Sequence, residues 1–184
     1  MLPLVLDAVP EQTAELAELE RAYDTYAPEM FRFLRRLGVP DAAVDDAVQD
    51  VFFVAWRRRE DFQGRSSQRT WLYGIARKVA RDHRRRRDRA RHETPELDRL
   101  PAGSDPAAQT EAAEAARVVD AVLARMSETL RETFVLVEIE QLTAPEIVEI
   151  LGVPLNTVYS RTRLARAQFR ELASALLEPG SSRP

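Results

Sequence analysis

The chain has 184 residues, of which 45% are hydrophobic, enough for one ordinary domain or two small ones with packed cores. It has no cysteine, which excludes a disulfide framework and a thiolate metal site, and no apolar run has the length of a membrane helix. Its formal net charge of −3 excludes a protein that is basic throughout. Because no basic segment precedes the short apolar patch at its start, we expect no signal peptide and a cytoplasmic location.

The charge is unevenly distributed along the chain. Residues 69–92 contain ten Lys and Arg against two Asp, whereas residues 1–30 contain seven acids against Arg21 alone. A basic stretch of this kind indicates a local nucleic-acid footprint on an otherwise acidic protein. A solvated face that aids solubility is the alternative interpretation.

The composition predicts an all-α fold. Glycine is scarce, alternating β-branched residues are absent, and Ala, Leu, Glu and Arg dominate. The predicted helices span residues 12–36, 41–60, 69–90, 112–126, 128–141, 144–151 and 155–176.

The chain divides at a segment without helical periodicity. Residues 93–109 include three prolines and a glycine, which is typical of a flexible linker. We therefore expect two small helical domains. The predicted organisation is an N-terminal extension (1–19), a first domain (20–92), a linker (93–111), a second domain (112–177) and a disordered tail (178–184).

The predicted second helix has an aromatic residue on its polar side. Its valines form an apolar stripe, whereas the opposite face contains Asp46, Gln49, Asp50 and Phe53. A protein-binding face with Phe53 as its anchor is one interpretation. Packing of Phe53 beneath a neighbouring helix is the other.

The basic helix that follows is amphipathic. Trp71, Leu72, Ile75 and Val79 share one side, and the other side is polar and basic with an exposed tyrosine. That side holds Thr70, Tyr73, Arg77, Arg81 and Arg84. Arginines bind phosphate and an aromatic ring stacks on an unpaired base, so this face suits melted nucleic acid. For Trp71, a structural role is the stronger expectation.

Residues 142–168 have the pattern of a helix–turn–helix. Thr143 and Glu146 form a capping box around Pro145, and Gly152 supplies the turn before a second, basic helix. Such a helix can enter a duplex major groove. An ordinary pair of helices is the alternative.

These motifs, in this order, resemble the extracytoplasmic-function (ECF) sigma factors of the sigma-70 family over residues 20–172. The stretches that carry the resemblance are DAAVDDAVQDVFFVAWRRRE, SSQRTWLYGIARKVARDHRRR and LTAPEIVEILGVPLNTVYSRTRLARAQFR. The resemblance implies a region 2-like domain that binds the β′ clamp helices of core RNA polymerase. It also implies a region 4-like domain that contacts the β flap.

The resemblance further implies three sets of site residues. The polymerase-binding set is Asp46, Gln49, Asp50 and Phe53. The set for the −10 promoter element, where a base of the opened strand is captured, is Arg65, Ser66, Ser67, Arg69, Thr70, Trp71, Tyr73, Arg77, Lys78, Arg81, Arg84 and Arg85. The set for the duplex −35 element is Leu155, Asn156, Thr157, Tyr159, Ser160, Arg161, Arg163 and Arg166.

The expected activity is binding, without catalysis, cofactor, metal or membrane. The expected partners are core polymerase, promoter DNA and, as is common in the family, an anti-sigma protein. A helix–turn–helix regulator that acts without polymerase is the main alternative, and an RNA-binding adaptor is another. Lys78, Asn156, Tyr159 and Gln68 differ from the residues usual in the family, which leaves the promoter sequence open.

Overall fold

The computed structural model describes residues 10–93 and 111–177. Within these ranges every regular element is helical, which confirms the predicted all-α fold. The α-helices are α1 (Pro10–Arg36), α2 (Asp41–Arg57), α3 (Gln68–Glu93), α4 (Glu111–Arg125), α5 (Glu128–Phe134), α6 (Ala144–Leu151) and α7 (Leu155–Leu177). Residues 1–9, nearly all of the predicted linker, and the predicted disordered tail lie outside the described residues.

Every predicted helix boundary except the end of α5 lies within three residues of the observed one, and the early ends of α2 and α5 have a visible local cause. Helix α2 ends at Arg57, because the Arg58 backbone N–H is shared between the carbonyls of Val54 and Ala55 and the chain tightens into a 3₁₀ turn, Arg59–Asp61. Helix α5 widens after Phe134 into a π-helical turn, Val135–Ile139. Gln141, at φ 53°, then ends the segment.

The first three helices pack around a common apolar core. Helix α1 supplies Met30, Phe33 and Leu34, which are completely buried. The predicted apolar stripe of α2 faces them, and α3 adds its own apolar side. The residues from these two helices are Val44, Val48, Val51, Phe52, Leu72, Ile75 and Val79. This core fixes which faces of α2 and α3 point outward.

A glycine turn sets the angle between α1 and α2. Gly38 has φ 88°, the left-handed region that favours glycine. The N–H of Val39 bonds to the carbonyl of Leu34 and the N–H of Gly38 to that of Arg35, the two hydrogen bonds of a Schellman motif. Pro40 then precedes α2, where its missing N–H leaves no bond unmade.

The last four helices form a second unit. Its core is built from Val122 and Leu123 of α4, Leu136, Ile147 of α6 and Val158 of α7, all nearly or completely buried. Phe134 and Phe169 stack with their ring centroids 4.3 Å apart, which ties α5 to α7.

The two units lie against each other, with α6 packed on α3 and α4 touching α1. Among the described residues, no helix is both long and apolar enough to cross a membrane, and no group of three or more His, Asp or Glu could hold a metal ion.

Candidate polymerase and DNA interfaces

The polar face of α2 is exposed. Asp46 and Gln49 point to solvent, Asp50 is half-buried, and the Phe53 side chain is 59% exposed. Phe53 is therefore not packed beneath a neighbouring helix. The Arg57 guanidinium lies 5.7 Å from the centre of its ring, on the same face. The arrangement can offer an apolar anchor flanked by carboxylates to another protein.

An apolar groove that the sequence interpretation missed adjoins Phe53. Leu19 and Tyr23 of α1 and Phe52 and Trp56 of α2 line an open cavity of about 500 Å³ with it. Tyr23 is 42% exposed, and its ring lies 4.8 Å from that of Phe52. The position of Trp56 beside Phe53 could have been predicted from the sequence, because residues three positions apart share one face of a helix. The contribution of α1 depends on how the helices pack and has no local signal.

Asp50 has a partner from α3. Its Oδ2 lies 2.9 Å from Nε2 of His83, whose side chain is 11% exposed. The pair fixes the direction of the Asp50 carboxylate next to Phe53. No sequence signal joins residues that lie 33 positions apart on different helices.

The loop before α3 forms a small cavity of about 190 Å³. Phe62 and Trp71, with ring centroids 5.1 Å apart, form its apolar wall, and Gln63, Arg65 and Ser66 stand at its polar rim. Asp61 and Glu149 complete the lining. Ser67 begins α3 by accepting the backbone N–H of Thr70 at 3.0 Å. The cavity has the apolar and polar surfaces that a planar base requires.

The predicted exposure of Tyr73 is wrong. Its side chain is completely buried, and its hydroxyl lies 2.6 Å from carboxylate oxygens of both Glu29 and Glu140. The ring packs edge-on against Phe33 at 4.7 Å. The sequence pattern failed here because this side chain is covered by Phe33 and Glu29 of α1 and by Glu140, 67 positions away. Burial, followed by the hydrogen bonds that the hydroxyl donates to Glu140 and Glu29, raises the pKa of Tyr73 far above its usual range.

The arginines on this face of α3 are also covered. Arg77 Nε donates to Glu132 at 2.8 Å, and Arg84 is buried with its guanidinium on Glu128 and on the Leu37 carbonyl. Arg81 lies 3.4 Å from Glu128. Burial raises the pKa of the Glu128 carboxyl, but the charges and hydrogen bonds of Arg84 and Arg81 together outweigh it, and the net pKa is lowered.

The N-terminal end of α3 is covered in the same way. Arg69 donates to Glu29 at 2.7 Å, and the buried Thr70 hydroxyl donates to Glu146 at 3.0 Å. Burial of Glu29 opposes its ionisation, yet hydrogen bonds from Arg69 and Tyr73 lower the pKa of Glu29. The predicted −10 set divides into exposed members (Arg65, Ser67, Lys78 and Arg85), half-buried members (Ser66, Arg69, Trp71, Arg77 and Arg81) and buried members (Thr70, Tyr73 and Arg84).

The helix–turn–helix has the predicted local structure. The capping box is present: Glu146 Oε2 accepts the backbone N–H of Thr143 at 2.8 Å and its hydroxyl at 2.7 Å. Gly152, at φ 65°, ends α6. Val158 and Ala165, both buried, anchor α7 and turn its other side outward.

The outward side of α7 carries the predicted −35 set. Tyr159 is 58% exposed and Leu155 is 42% exposed, and Asn156, Ser160 and Arg163 point to solvent. Thr157 and Arg161 are half-buried. Arg166 is exposed and donates to Glu138 at 2.8 Å. Six of the eight residues therefore lie on one exposed side of the helix, as a helix that reads base edges requires.

Comparisons with known proteins place both units in one family. Residues 22–90 match the model of sigma-70 region 2, and residues 116–169 match that of sigma-70 region 4. The RNA polymerase sigma factor NccH of Alcaligenes xylosoxydans xylosoxydans is 34% identical over 75% of this chain and 77% of its own length. CnrH of Cupriavidus metallidurans is 33% identical over 81% of each chain.

Solved structures share the fold. The sigma factor RpoE of Bartonella quintana, crystallised with the anti-sigma factor NepR, aligns with a TM-score of 0.69 at 20% identity over 85% of this chain and 97% of that one. CnrH in complex with the cytosolic domain of CnrY aligns with a TM-score of 0.64 at 29% identity over 85% and 88%. The matches to regions 2 and 4, in that order, and the extent of the relatives show that this chain belongs to the ECF group of the sigma-70 family, the initiation factors of bacterial RNA polymerase.

Proposed function

We propose that this protein directs core RNA polymerase to promoters by dividing the task among three surfaces. The α2 face binds the β′ clamp helices, the loop before α3 and the α3 face bind the opened −10 element, and α7 reads the duplex −35 element. Core polymerase and promoter DNA are then its partners, and the cytoplasm is its location. Family membership favours this function over that of a regulator that acts without polymerase.

The observation that carries the polymerase-binding proposal is the exposure of Phe53. Phe53 is 59% exposed and lies beside an apolar groove. A partner that covers this surface removes apolar area from water, which lowers the free energy of the complex. Asp46 and Asp50 would select a basic partner. The alternative, a regulator that acts without polymerase, would instead use this unit for sensing or for dimerisation.

The test is binding of core polymerase to Phe53→Ala. Removal of a central aromatic anchor typically lowers the binding free energy by at least about 2 kcal/mol. We therefore expect the affinity for core polymerase to fall roughly 30-fold or more. Tyr159→Ala is the matched control, because it removes an aromatic side chain of similar exposure from the other unit. Unchanged polymerase binding by Phe53→Ala with unchanged circular dichroism would refute the clamp assignment.

For the −10 element, the cavity before α3 is the site that would receive a base. Its Phe62 and Trp71 wall can stack a base, and Arg65, at the rim, can bind the flanking phosphate. Helix α3 would hold the strand through its arginines once they are uncovered. We expect Arg65→Ala to lower permanganate reactivity of promoter thymines more than it lowers closed-complex binding. Equal losses in both assays would remove the loop from strand capture, and Arg21→Ala is the control.

We also propose an inhibitory protein partner, because RpoE of Bartonella quintana was crystallised with the anti-sigma factor NepR, and the structure of CnrH likewise contains a second protein, the cytosolic domain of CnrY. The groove beside Phe53 is the surface on which such a partner would compete with polymerase. The expectation is met by a protein of the same bacterium with three properties. It binds the wild type, it does not bind Phe53→Ala, and core polymerase displaces it. A partner that binds both forms equally would place the inhibition elsewhere.

A further inference from the structure

A further cavity, partly open to solvent, lies where α1, the end of α2 and the start of α3 meet. It has a volume of about 290 Å³, and its walls include four aromatic rings, those of Phe52, Trp56, Phe62 and Trp71. Water beside such rings lacks the polar partners that it needs for its hydrogen bonds. The cavity therefore favours an apolar occupant, which would also supply packing contacts to the half-buried Trp56 and Trp71.

This cavity adjoins the two sites described above. It shares Phe52 and Trp56 with the groove beside Phe53, and it shares Phe62 and Trp71 with the cavity before α3. The rings of Phe62 and Trp71, with centroids 5.1 Å apart, thus form a wall between two spaces. One space is the proposed base-binding site, and the other is this cavity.

The polar groups at the cavity restrict the chemistry of its occupant. Glu18 and Glu60 outnumber Arg59, whose guanidinium lies 4.4 Å from the centre of the Trp56 ring, so an anion would meet net negative charge. Gln68, the first residue of α3, also lines the cavity and is half-buried. Among the residues that the structure describes, none hydrogen-bonds to its side-chain amide. This amide can donate one hydrogen bond to a ligand and accept another.

We propose that this cavity binds a small, uncharged, planar aromatic molecule that has an amide or a similar paired donor and acceptor. An apolar cavity of about 150 Å³ can hold benzene, so 290 Å³ has room for roughly one or two rings with a polar substituent. The ring lies among the aromatic side chains, and its substituent reaches Gln68. This combination of an apolar cavity and one convergent polar group is typical of small-molecule sites.

The consequence for DNA rests on the proposed function. A molecule in this cavity supports the wall of Phe62 and Trp71 from behind, whereas without it the two rings can move into the void. Occupancy should therefore favour the wall position that receives a base. By linkage, capture of a base should raise the affinity for the molecule by the same factor.

Binding can be tested with benzamide, an uncharged ring that has an amide. The chain has two tryptophans and both line the cavity, so their fluorescence reports its occupancy directly. We expect benzamide to change this emission to saturation. Benzoate, which differs in its charge, should bind at least about tenfold more weakly. Cyclohexanecarboxamide, which keeps the amide but has no planar ring, should also bind more weakly than benzamide.

Two substitutions test the location of the site. Ala22→Leu enlarges a side chain of the cavity wall and should abolish the emission change. Gln68→Leu removes the amide and should weaken the binding of benzamide but not that of toluene. Ala115→Leu, at an exposed position of the second unit, is the control. Absence of saturable binding to the folded wild type, or equal binding by Ala22→Leu, would overturn the inference.

The effect on strand capture is measured in the complex with core polymerase and promoter DNA. Saturating benzamide should raise the permanganate reactivity of promoter thymines by up to about fivefold, and Ala22→Leu should not respond. Binding of benzamide without this increase would overturn the coupling to the base-binding site. Absence of wild-type transcription with core polymerase from every promoter of a library would instead overturn the proposed function, while benzamide would still bind the free protein.

Discussion

Helices α3 and α7 are both rich in arginine, yet their arginines have different neighbours. On α3, Arg77 and Arg84 are paired with glutamates of the other unit and buried. On α7, Arg163 points to solvent and Arg166 has an exposed partner, Glu138. A basic helix therefore indicates what it can bind but not whether the surface is available, because availability depends on acids that lie elsewhere in the chain.

The tyrosines of these helices give the largest expected contrast. Tyr73→Ala should lower the free energy of unfolding by about 3–5 kcal/mol, because it leaves a cavity beside Phe33 and removes a buried hydroxyl. Tyr159→Ala should change it by less than about 0.5 kcal/mol, because that side chain is exposed. Urea unfolding followed by circular dichroism measures both. A similar decrease in the free energy of unfolding for the two variants would contradict this prediction.

The arginines of α7 should act on DNA without any rearrangement. Arg161→Ala with Arg163→Ala should weaken binding to duplex promoter DNA by roughly tenfold or more and lower the slope of log affinity against log salt by about 2. Arg125→Ala with Arg170→Ala removes two arginines of the same unit and serves as the control. A salt slope that is the same for both double variants would exclude a special role for the start of α7.

The first turn of α6 is closed by a reciprocal capping box, whereas α3 begins with the Ser67 cap and no glutamate three residues later. Thr143→Ala removes one half of the capping box and should lower the free energy of unfolding by about 1 kcal/mol. Thr129→Ala, at an exposed position of α5, should have little effect. Thermal melting of the two variants measures the difference. A loss for Thr129→Ala equal to that for Thr143→Ala would mean that the box contributes nothing of its own.

Acidification should slightly weaken the ion pairs between Glu128 and the arginines of α3. Glu128 faces Arg81, Arg84 and Arg131, and its pKa is lowered from 4.5 when the units are together. The stabilisation that ionised Glu128 gives to the contact between the units is thus complete above pH 4.5, and it is lost as the pH falls through the lowered pKa. Because Glu128 is half exposed, the effect should stay below about 1 kcal/mol. The free energy of unfolding against pH, compared with that of Glu128→Gln, which lacks this carboxyl, measures the effect.

Local patterns were sufficient for much of the fold. The capping box at Thr143, the turn at Gly152 and the exposed Phe53 depend on residues within one or two helical turns, and each is present in the structure. The family comparison confirms the sigma-factor resemblance. The assignment of individual residues to polymerase or DNA stays a prediction.

Long-range contacts account for what the sequence could not predict. The burial of Tyr73 depends on Glu140, and the orientation of Asp50 on His83. Helical periodicity describes one helix at a time and cannot tell solvent from a second domain. The π-helical turn at Val135–Ile139 likewise has no pattern in the sequence that separates it from an ordinary helix.

Glu146 has two uses, and they restrict how the protein can evolve. One carboxylate oxygen caps α6 through Thr143, and the other accepts the Thr70 hydroxyl of α3. A substitution of Glu146 that removed its hydrogen bond with Thr70 would also fray the first turn of α6. The contact with α3 and the stability of the helix–turn–helix therefore cannot change independently at this position. Glu132 has no such capping role, because its buried carboxylate faces Arg77, Arg81 and Arg84 of α3.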